Sequence, residues 1–232
     1  MAKLLKDLYN EVYIDLLCSN LSKHHPLFQT ENFKTSLFDD SFASKELKER
    51  MRRISNALYS YLPKNYGDSI EILKKAFLEM NFAFGLENMI FQDFVEVYGL
   101  DDFEISMDAL ECFTVGSSCE FAIRAFILKS PQESMKRMKI WATSDNEHVR
   151  RLASEGCRPR LPWAVALPSF KKDPKLVLEI LELLKDDMSP YVRKSVANNL
   201  NDVSKENYAM VKKIANDWIG YSKNRDAIIK HG

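Results

Sequence analysis

The sequence predicts an all-α fold. Only seven glycines occur among 232 residues, and runs in which β-branched residues alternate with polar ones are nearly absent. Apolar residues instead recur at spacings of three and four, which is the pattern of a helix that buries one face. With 46% hydrophobic residues, a chain of this length can bury a sizeable core.

The apolar spacing also predicts where the helices lie. The first runs from Lys3 to Cys18 and ends before a loop that contains Pro26. We predict one domain over residues 1–232, with N-terminal helices to residue 105 and, at residues 106–220, shorter paired helices that carry the site. The other predicted helices are at residues 44–62, 68–80, 87–98, 107–113, 117–128, 131–142, 146–156, 174–185, 190–201 and 205–219.

Two segments of the second half align at an offset of 43 residues. Residues 144–156 (SDNEHVRRLASEG) match residues 187–199 (DMSPYVRKSVANN), which places Arg150 on Arg193, and a similar apolar-Arg pair ends at Arg124. HEAT-like repeats have a period of roughly 40 to 47 residues. Since one helix pair cannot bury its apolar face alone, we expect a HEAT-like helical-repeat α-solenoid, with the site on its concave face.

Charge is balanced over the whole chain but not along it. The 33 basic and 33 acidic residues cancel, which removes a global cationic field as an argument for nucleic-acid binding. However, residues 76–123 contain ten acidic residues and no Lys or Arg, whereas residues 136–160 carry seven basic and three acidic residues. The chain therefore has an acidic region followed by a basic one.

Several classes of protein are disfavoured. Charges are scattered through the N-terminal apolar positions, and no 18-residue apolar run exists. We therefore expect neither a signal peptide nor a membrane span, and we expect the protein to be cytoplasmic. The four cysteines show no CxxC spacing and no clustering with His, which predicts reduced thiols and no metal site. No Gly-rich phosphate loop is present.

The stretch between Trp141 and Trp163 concentrates polar side chains. A helix that opens near Asn146 would place Glu147, Arg151 and Glu155 on one face. A glycine then ends this helix, and two prolines stiffen the irregular segment that follows. We interpret this stretch as a site whose cations are Arg150, Arg151, Arg158 and Arg160.

The arginines of the repeats also have a structural explanation. In HEAT-like repeats an arginine at this position often bonds the neighbouring repeat, which is the favoured interpretation of Arg124 and Arg193. Adjacent helical residues such as Arg150 and Arg151 point about 100° apart, so at most one of them serves the stacking interface.

The acidic candidates have structural explanations too. Glu120 follows a Ser-rich turn and would suit the first turn of a helix, where a carboxylate favours the helix dipole. The segment at residues 198–202 (NNLND) would suit a helix end, with Asp202 capping the next helix. Trp141 is expected in the core, whereas Trp163, in a polar loop, is expected to be exposed.

Together these residues carry a resemblance to a known family. The run HVRRLASEGCRPRLPWA, with SSCEFAIRAF before it and DPKLVLEILELLKDDMSPYVRKSVANNLNDVSKEN after it, is similar to the DNA alkylation repair family of HEAT-like-repeat DNA glycosylases, specifically its AlkC branch. The resemblance is close over residues 114–218 and covers nearly the whole chain, with the first ~40 residues least diagnostic. It implies excision of cationic N3-methylated bases, such as 3-methyladenine and 3-methylcytosine, from double-stranded DNA held on a concave basic face, without a metal or other cofactor.

The resemblance also implies roles for individual residues. Glu120, Glu155 and Asp202 match acidic positions of the family and would stabilise an oxocarbenium-like sugar and position water. Trp163 would offer its ring face to the cationic sugar or base. The side chains expected to contact DNA are Arg150, Arg151, Arg158, Arg160, Arg193, Lys194, Asn198 and Asn201.

Departures from the family pattern are small at the site. Cys119 and Cys157 stand where Ser and Thr are common, and Ala125 where Pro is common, each beside intact carboxylates. The sequence stops at Gly232, without the immunoglobulin-like domain that some members add, so we expect weaker DNA affinity or a different specificity. We expect a monomer.

Two other functions stay open. A HEAT-like solenoid can be a scaffold that binds other proteins, or it can bind nucleic acid without catalysis. In the scaffold the three carboxylates would be stacking or capping groups. Carboxylates that point to different faces would exclude catalysis, whereas carboxylates that meet within about one nucleotide of each other beside a basic groove would exclude the scaffold.

Overall fold

The computed structural model of the chain describes residues 4–39, 41–80 and 85–231. Within those ranges all regular structure is helical, which confirms the all-α prediction, and none of the helices combines the length and apolarity that crossing a bilayer requires. The α-helices are α1 (Glu11–His24), α2 (Thr30–Leu37), α3 (Leu47–Tyr61), α4 (Tyr66–Glu79), α5 (Met89–Tyr98), α6 (Phe103–Phe113), α7 (Ala122–Lys129), α8 (Pro131–Trp141), α9 (Glu147–Gly156), α10 (Pro168–Lys172), α11 (Lys175–Leu184), α12 (Pro190–Trp218) and α13 (Lys223–His231).

The chain divides into two compact units, Met1–Ala122 and Ile123–Gly232. In the first unit α1 packs against α4, α3 against α5, and α6 against both α4 and α5. Phe77, Phe91 and Phe113 are buried in its core, with ring centroids 5.2 to 5.3 Å apart. The single domain expected from the sequence stays a prediction.

The second unit contains the predicted repeat. α8 packs against α9 and α11 against α12, and the two pairs stack through α8 on α11 and α9 on α12. Val149 and Leu152 of α9 and Val192 and Val196 of α12 are all buried, as expected. The offset of 43 residues therefore marks HEAT-like helix pairs that stack on each other.

The first helix begins later than predicted. α1 starts at Glu11 because the side chain of Asn10 accepts the backbone N–H of Tyr13 at 3.1 Å and caps the helix. It then continues six residues past the predicted end at Cys18. Lys3, where the predicted helix begins, lies outside the described residues. The sequence also does not predict α2, α10 and α13, which have eight, five and nine residues and are too short to show an apolar period.

The last long helix is not broken where the sequence predicts a break. Separate helices are predicted at residues 190–201 and 205–219, but α12 stays helical past residue 204 and is interrupted instead at Asn207, whose φ of −127° and ψ of 44° are not helical. The predicted helix end at residues 198–202 is wrong because no Gly or Pro follows to stop the helix there. Asp202 therefore lies inside α12 and does not cap another helix.

Candidate active site

Two of the three predicted catalytic carboxylates are joined by one arginine. Arg158 Nη1 donates to Glu155 Oε1 at 2.7 Å, and Arg158 Nε donates to Asp202 Oδ2 at 2.9 Å. These residues are 9%, 6% and 5% exposed, in the order Arg158, Glu155 and Asp202. Because charges at such depth are tolerated only when they are paired, the three side chains form one unit, which we call the acid–arginine cluster.

The guanidinium of the cluster stays charged. Burial alone would lower the pKa of Arg158, but the hydrogen bond to Asp202 and the field of Glu155 outweigh it and raise the pKa above its usual value. The cluster therefore places a permanent cation between two acids that come from successive repeats.

Each member of the cluster comes from a different local structure. α9 begins after Asn146, whose side chain caps the first turn, and ends at Gly156, as predicted. Glu155 lies in the last turn of α9, Arg158 in the irregular segment that follows, and Asp202 within α12.

Residues 157–167, the irregular segment between α9 and α10, are called the site loop below. The Leu167 N–H donates to the Pro159 carbonyl at 3.2 Å and closes the loop on itself. Within the loop Trp163 is 74% exposed, and at φ 63° it is the one non-glycine residue of the described ranges with a positive φ. A bulky residue is strained in this conformation, and such strain concentrates at functional sites. Trp141, in contrast, is fully buried, as expected.

Arg151 lies at the edge of the cluster. Its guanidinium stacks over the Tyr191 ring at 4.5 Å from the centroid, and its Nη2 is 3.8 Å from Glu155 Oε1. With Arg151 counted, two carboxylates face two guanidinium groups, so the ensemble is formally neutral. The longer distance makes Arg151 the weaker of the two cations that contact Glu155.

Arg150 and Arg193 occupy matching repeat positions and make matching bonds. Arg150 Nη1 donates to the carbonyls of Ser144 and Asp145, each at 2.9 Å, and Arg193 Nη1 bonds the loop before its own helix in the same way, at 2.7 and 2.9 Å. Arg150 also forms a two-pronged pair with Asp187, which raises its pKa. These bonds support a structural role for both arginines, and a DNA contact by either stays a prediction.

Glu120 belongs to the first unit. It lies in the turn before α7 and is only 2% exposed, and the adjacent Phe121 carries the Lys48 ammonium over its ring at 4.4 Å. Because a carboxylate is favoured before a helix N-terminus, the dipole explanation stays open beside the catalytic one. Convergence of Glu120 with Glu155 and Asp202 stays a prediction.

The other candidates for DNA contact lie at the surface of the second unit. Lys194 and Asn201 are exposed and Asn198 is half-buried, all on α12. Arg160 is exposed in the site loop and forms an ion pair with Glu206. A surface ion pair contributes little to stability, so Arg160 can exchange its carboxylate partner for a phosphate at small cost.

Some polar residues that the sequence does not single out join α9 to α12. Asn199 is fully buried and its amide donates to the Ser154 carbonyl at 2.7 Å, while the Ser154 and Ser195 hydroxyls lie 2.7 Å apart. The sequence signal is that Ser195 and Asn199 are four residues apart and so share one helix face. These bonds hold α12 against the turn that carries Glu155.

Thiols and metal ligands are not prominent at the cluster. Burial raises the pKa of the Cys157 thiol to about 12, so it is a protonated core group, and all four cysteines are free. Within the described ranges no group of three or more His, Cys, Asp or Glu is arranged to hold a metal ion. The groups that face one another here are carboxylates and guanidinium groups.

Several known proteins are similar to this chain. Residues 109–221 match the model of a family described as DNA alkylation repair enzyme. The chain is 45% identical over 227 residues to the uncharacterized protein YhaZ of Bacillus subtilis (strain 168), covering 98% of this chain and 63% of that protein. The structure of the Pseudomonas fluorescens alkylpurine DNA glycosylase AlkC bound to DNA containing an abasic site analog matches with a TM-score of 0.93 and 37% identity, covering 100% of this chain and 64% of AlkC. The chain thus spans just under two thirds of both relatives, and its residues 109–221 match the DNA alkylation repair family.

Proposed function

We propose that the protein is a DNA glycosylase that hydrolyses the N-glycosidic bond of cationic N3-alkylated bases, such as 3-methyladenine and 3-methylcytosine. The observation that carries the proposal is the acid–arginine cluster, in which two acids from successive repeats are held on one guanidinium. The similarity to AlkC, whose description is an alkylpurine DNA glycosylase, supports it.

The proposed chemistry needs carboxylates more than a strong acid. An N3-alkylated base already carries positive charge, so it leaves as a neutral molecule when it takes the electron pair of the N-glycosidic bond. The sugar then resembles an oxocarbenium ion, and a water oxygen bonds to its anomeric carbon and gives up a proton. Carboxylates can stabilise the first species and accept the proton of the second.

Arg158 has a positioning role in this scheme. By holding Glu155 and Asp202 it keeps both acids in fixed places, although its own charge offsets part of their field. Its two ion pairs leave little of its surface for a phosphate. We therefore assign Arg158 to the carboxylates, and its predicted DNA contact becomes secondary.

Arg151 is the second cation beside Glu155 and lies at the edge of the cluster. A phosphate at hydrogen-bonding distance would be a stronger partner for it than Glu155 Oε1 at 3.8 Å. If Arg151 turns to the backbone, the remaining cluster of two acids and one arginine carries a net negative charge. DNA binding would then increase the field that stabilises a cationic sugar.

The remaining contacts are proposed to position double-stranded DNA. Arg160, Lys194 and Asn201 are exposed and suit phosphate oxygens, while Trp163 offers its ring face to the cationic sugar or base. We propose that DNA lies along the basic concave face expected of stacked repeats, with Glu120 supplying a third acid. A monomer working in the cytoplasm would suffice for this reaction.

The test is to incubate the protein with methylated DNA and to separate the released bases by chromatography. We expect 3-methyladenine and 3-methylcytosine to appear, and unmodified adenine to stay in the DNA because it is a poor leaving group. DNA binding without base release would instead support the non-catalytic nucleic-acid-binding module. If the protein neither bound DNA nor released bases, a scaffold that binds other proteins would be the remaining function.

A further inference from the structure

A fully buried arginine from the preceding repeat position holds both ends of the site loop. Arg124 is 0% exposed, and its Nη1 donates to the carbonyls of Gly156 at 3.0 Å and Arg158 at 2.8 Å. Its Nε donates to the Val165 carbonyl at 2.6 Å. One guanidinium therefore bonds the chain where it enters the loop and where it leaves it.

The bonds of Arg124 differ from those of the aligned arginines. Arg150 and Arg193 each bond carbonyls five and six residues before themselves, so they hold the loop that enters their own helix. Arg124 instead reaches 32 to 41 residues ahead. At the same repeat position, Arg150 and Arg193 therefore bond the loop before their own helix, whereas Arg124 bonds the site loop.

This contact holds the backbone that carries the groups of the proposed reaction. The carbonyl held at Arg158 belongs to the residue whose side chain bridges Glu155 and Asp202. The span fixed between the two anchors also contains Trp163 in its strained backbone conformation. Burial lowers the pKa of Arg124 to about 10, so the guanidinium is still charged at neutral pH and its bonds to carbonyls are charge-assisted.

We propose that Arg124 is a positioning residue of the active site, which sets the geometry of the acid–arginine cluster and of Trp163 through the backbone of the site loop. This role rests on the proposed glycosylase function. Arg124 touches neither substrate nor the reacting atoms, so it acts only through the residues that it holds.

The variant Arg124→Lys keeps the charge but cannot bond both ends of the loop at once. We expect amide hydrogen exchange in residues 157–167 to speed up, and kcat for 3-methyladenine release to fall by at least about tenfold because reacting groups are misplaced. KM should stay within about threefold, since the exposed DNA contacts remain. A loss of stability alone would not separate kcat from KM in this way.

The matched control is Arg50→Lys in the first unit. Arg50 is also buried, at 7% exposure, and donates to three backbone carbonyls, those of Lys6, Ala43 and Lys45 at 2.9 to 3.0 Å, none of them at a site residue. The control should speed up exchange around residues 43–50 and leave kcat unchanged.

A second variant covers the case in which Arg124→Lys does not fold. Val165→Gly removes a side chain that is 57% exposed and loosens the anchored end of the loop without opening the core. It should lower kcat while thermal stability changes little.

Three outcomes decide the proposal. Parental exchange of residues 157–167 in Arg124→Lys would overturn it, and so would a loosened loop with parental kcat. If the parent protein itself released no base, the glycosylase function would fail, and the exchange comparison between Arg124→Lys and Arg50→Lys would still decide whether Arg124 holds the loop.

Discussion

The helices α9 and α12 start alike and end differently. They align at an offset of 43 residues, with Arg150 on Arg193 and Gly156 on Asn199. α9 stops at Gly156, whereas α12 passes through Asn199 and continues to Trp218 with one kink.

The difference has a local physical cause. Gly156 packs so closely that an added Cβ would lie 2.6 Å from Ile123 Cγ2, and Pro159 and Pro162 follow within six residues. Proline cannot continue a helix, so the chain leaves α9 there. Beyond Asn199 no Gly or Pro interrupts the helix until Gly220.

The contrast teaches how a repeat pair can form a site. Because α9 ends at Gly156, Arg158 lies in the loop that follows and not on the helix. Asp202 lies on α12, where its Oδ2 accepts a hydrogen bond from Arg158 Nε at 2.9 Å. A second break at Asn199 would remove Asp202 from the helix, and an unbroken α9 would keep Arg158 on its own helix. The cluster exists because α9 ends at Gly156, whereas α12 stays helical past Asp202.

The largest expected effect comes from removing the arginine at the junction. Arg158→Ala removes the guanidinium that pairs with Asp202 and leaves Glu155 with the longer contact to Arg151, and breaking a buried pair in this way costs about 3–5 kcal/mol in free energy of unfolding. Urea unfolding of the parent and of the variant measures this loss.

The comparison for that variant is Arg160→Ala, whose ion pair with Glu206 lies at the surface. It should change the free energy of unfolding by less than about 1 kcal/mol. Equal losses in the two variants would show that Glu155 and Asp202 do not depend on Arg158.

A smaller effect is expected at the break itself. Gly156→Ala forces a Cβ against Ile123 Cγ2 at 2.6 Å and Met138 Cε at 3.2 Å, and overpacking of this kind costs about 1–3 kcal/mol. Thermal unfolding of the parent and of Gly156→Ala measures this cost.

The contact with Ile123 provides an internal control. In an Ile123→Ala background the added methyl has space, so the cost of Gly156→Ala should shrink, and the two substitutions should be non-additive. Strict additivity would mean that close packing is not the reason for glycine at this position.

The smallest effects are expected at the DNA-facing surface. Arg160→Ala and Lys194→Ala should each weaken DNA binding modestly and reduce the slope of log affinity against log salt by about one per lost phosphate contact. Titration at several salt concentrations measures this slope. Lys74→Ala, which removes a surface lysine paired with Glu71, is the control and should keep the parental slope. Binding independent of salt would argue against phosphate contacts.

The sequence predicts both ends of α9 correctly, but it predicts the wrong position for the break within residues 190–219. Asn146 and Gly156 are strong local signals, and α9 has the bounds that they indicate. At residues 198–202 the amides suggest a helix end, but packing and the absence of Gly or Pro keep the helix intact.

The partners of the charged groups depend on long-range packing. Arg158 meets Asp202 across 44 residues and Arg150 meets Asp187 across 37, and no spacing rule within a helix predicts such pairs. The sequence therefore predicts which residues carry charge near the site, but it does not predict that Arg158 serves the carboxylates or that Arg124 reaches the site loop.

The most direct test of the central claim is a double-variant cycle on the two acids that Arg158 joins. Rates of 3-methyladenine release and DNA affinities are measured for the parent, Glu155→Gln, Asp202→Asn and the double variant. Asp93→Asn is the control, because Asp93 is a fully buried carboxylate that pairs with Arg52 in the first unit.

Each single amide should raise the barrier by about 2–4 kcal/mol, roughly a 30- to 1,000-fold slower release, while DNA affinity changes little. Glu120→Gln is expected to behave in the same way. The double variant should be little slower than the singles, because both acids act as one unit on one bond, and Asp93→Asn should keep the parental rate. Parental release by both single amides and by the double variant would contradict the account.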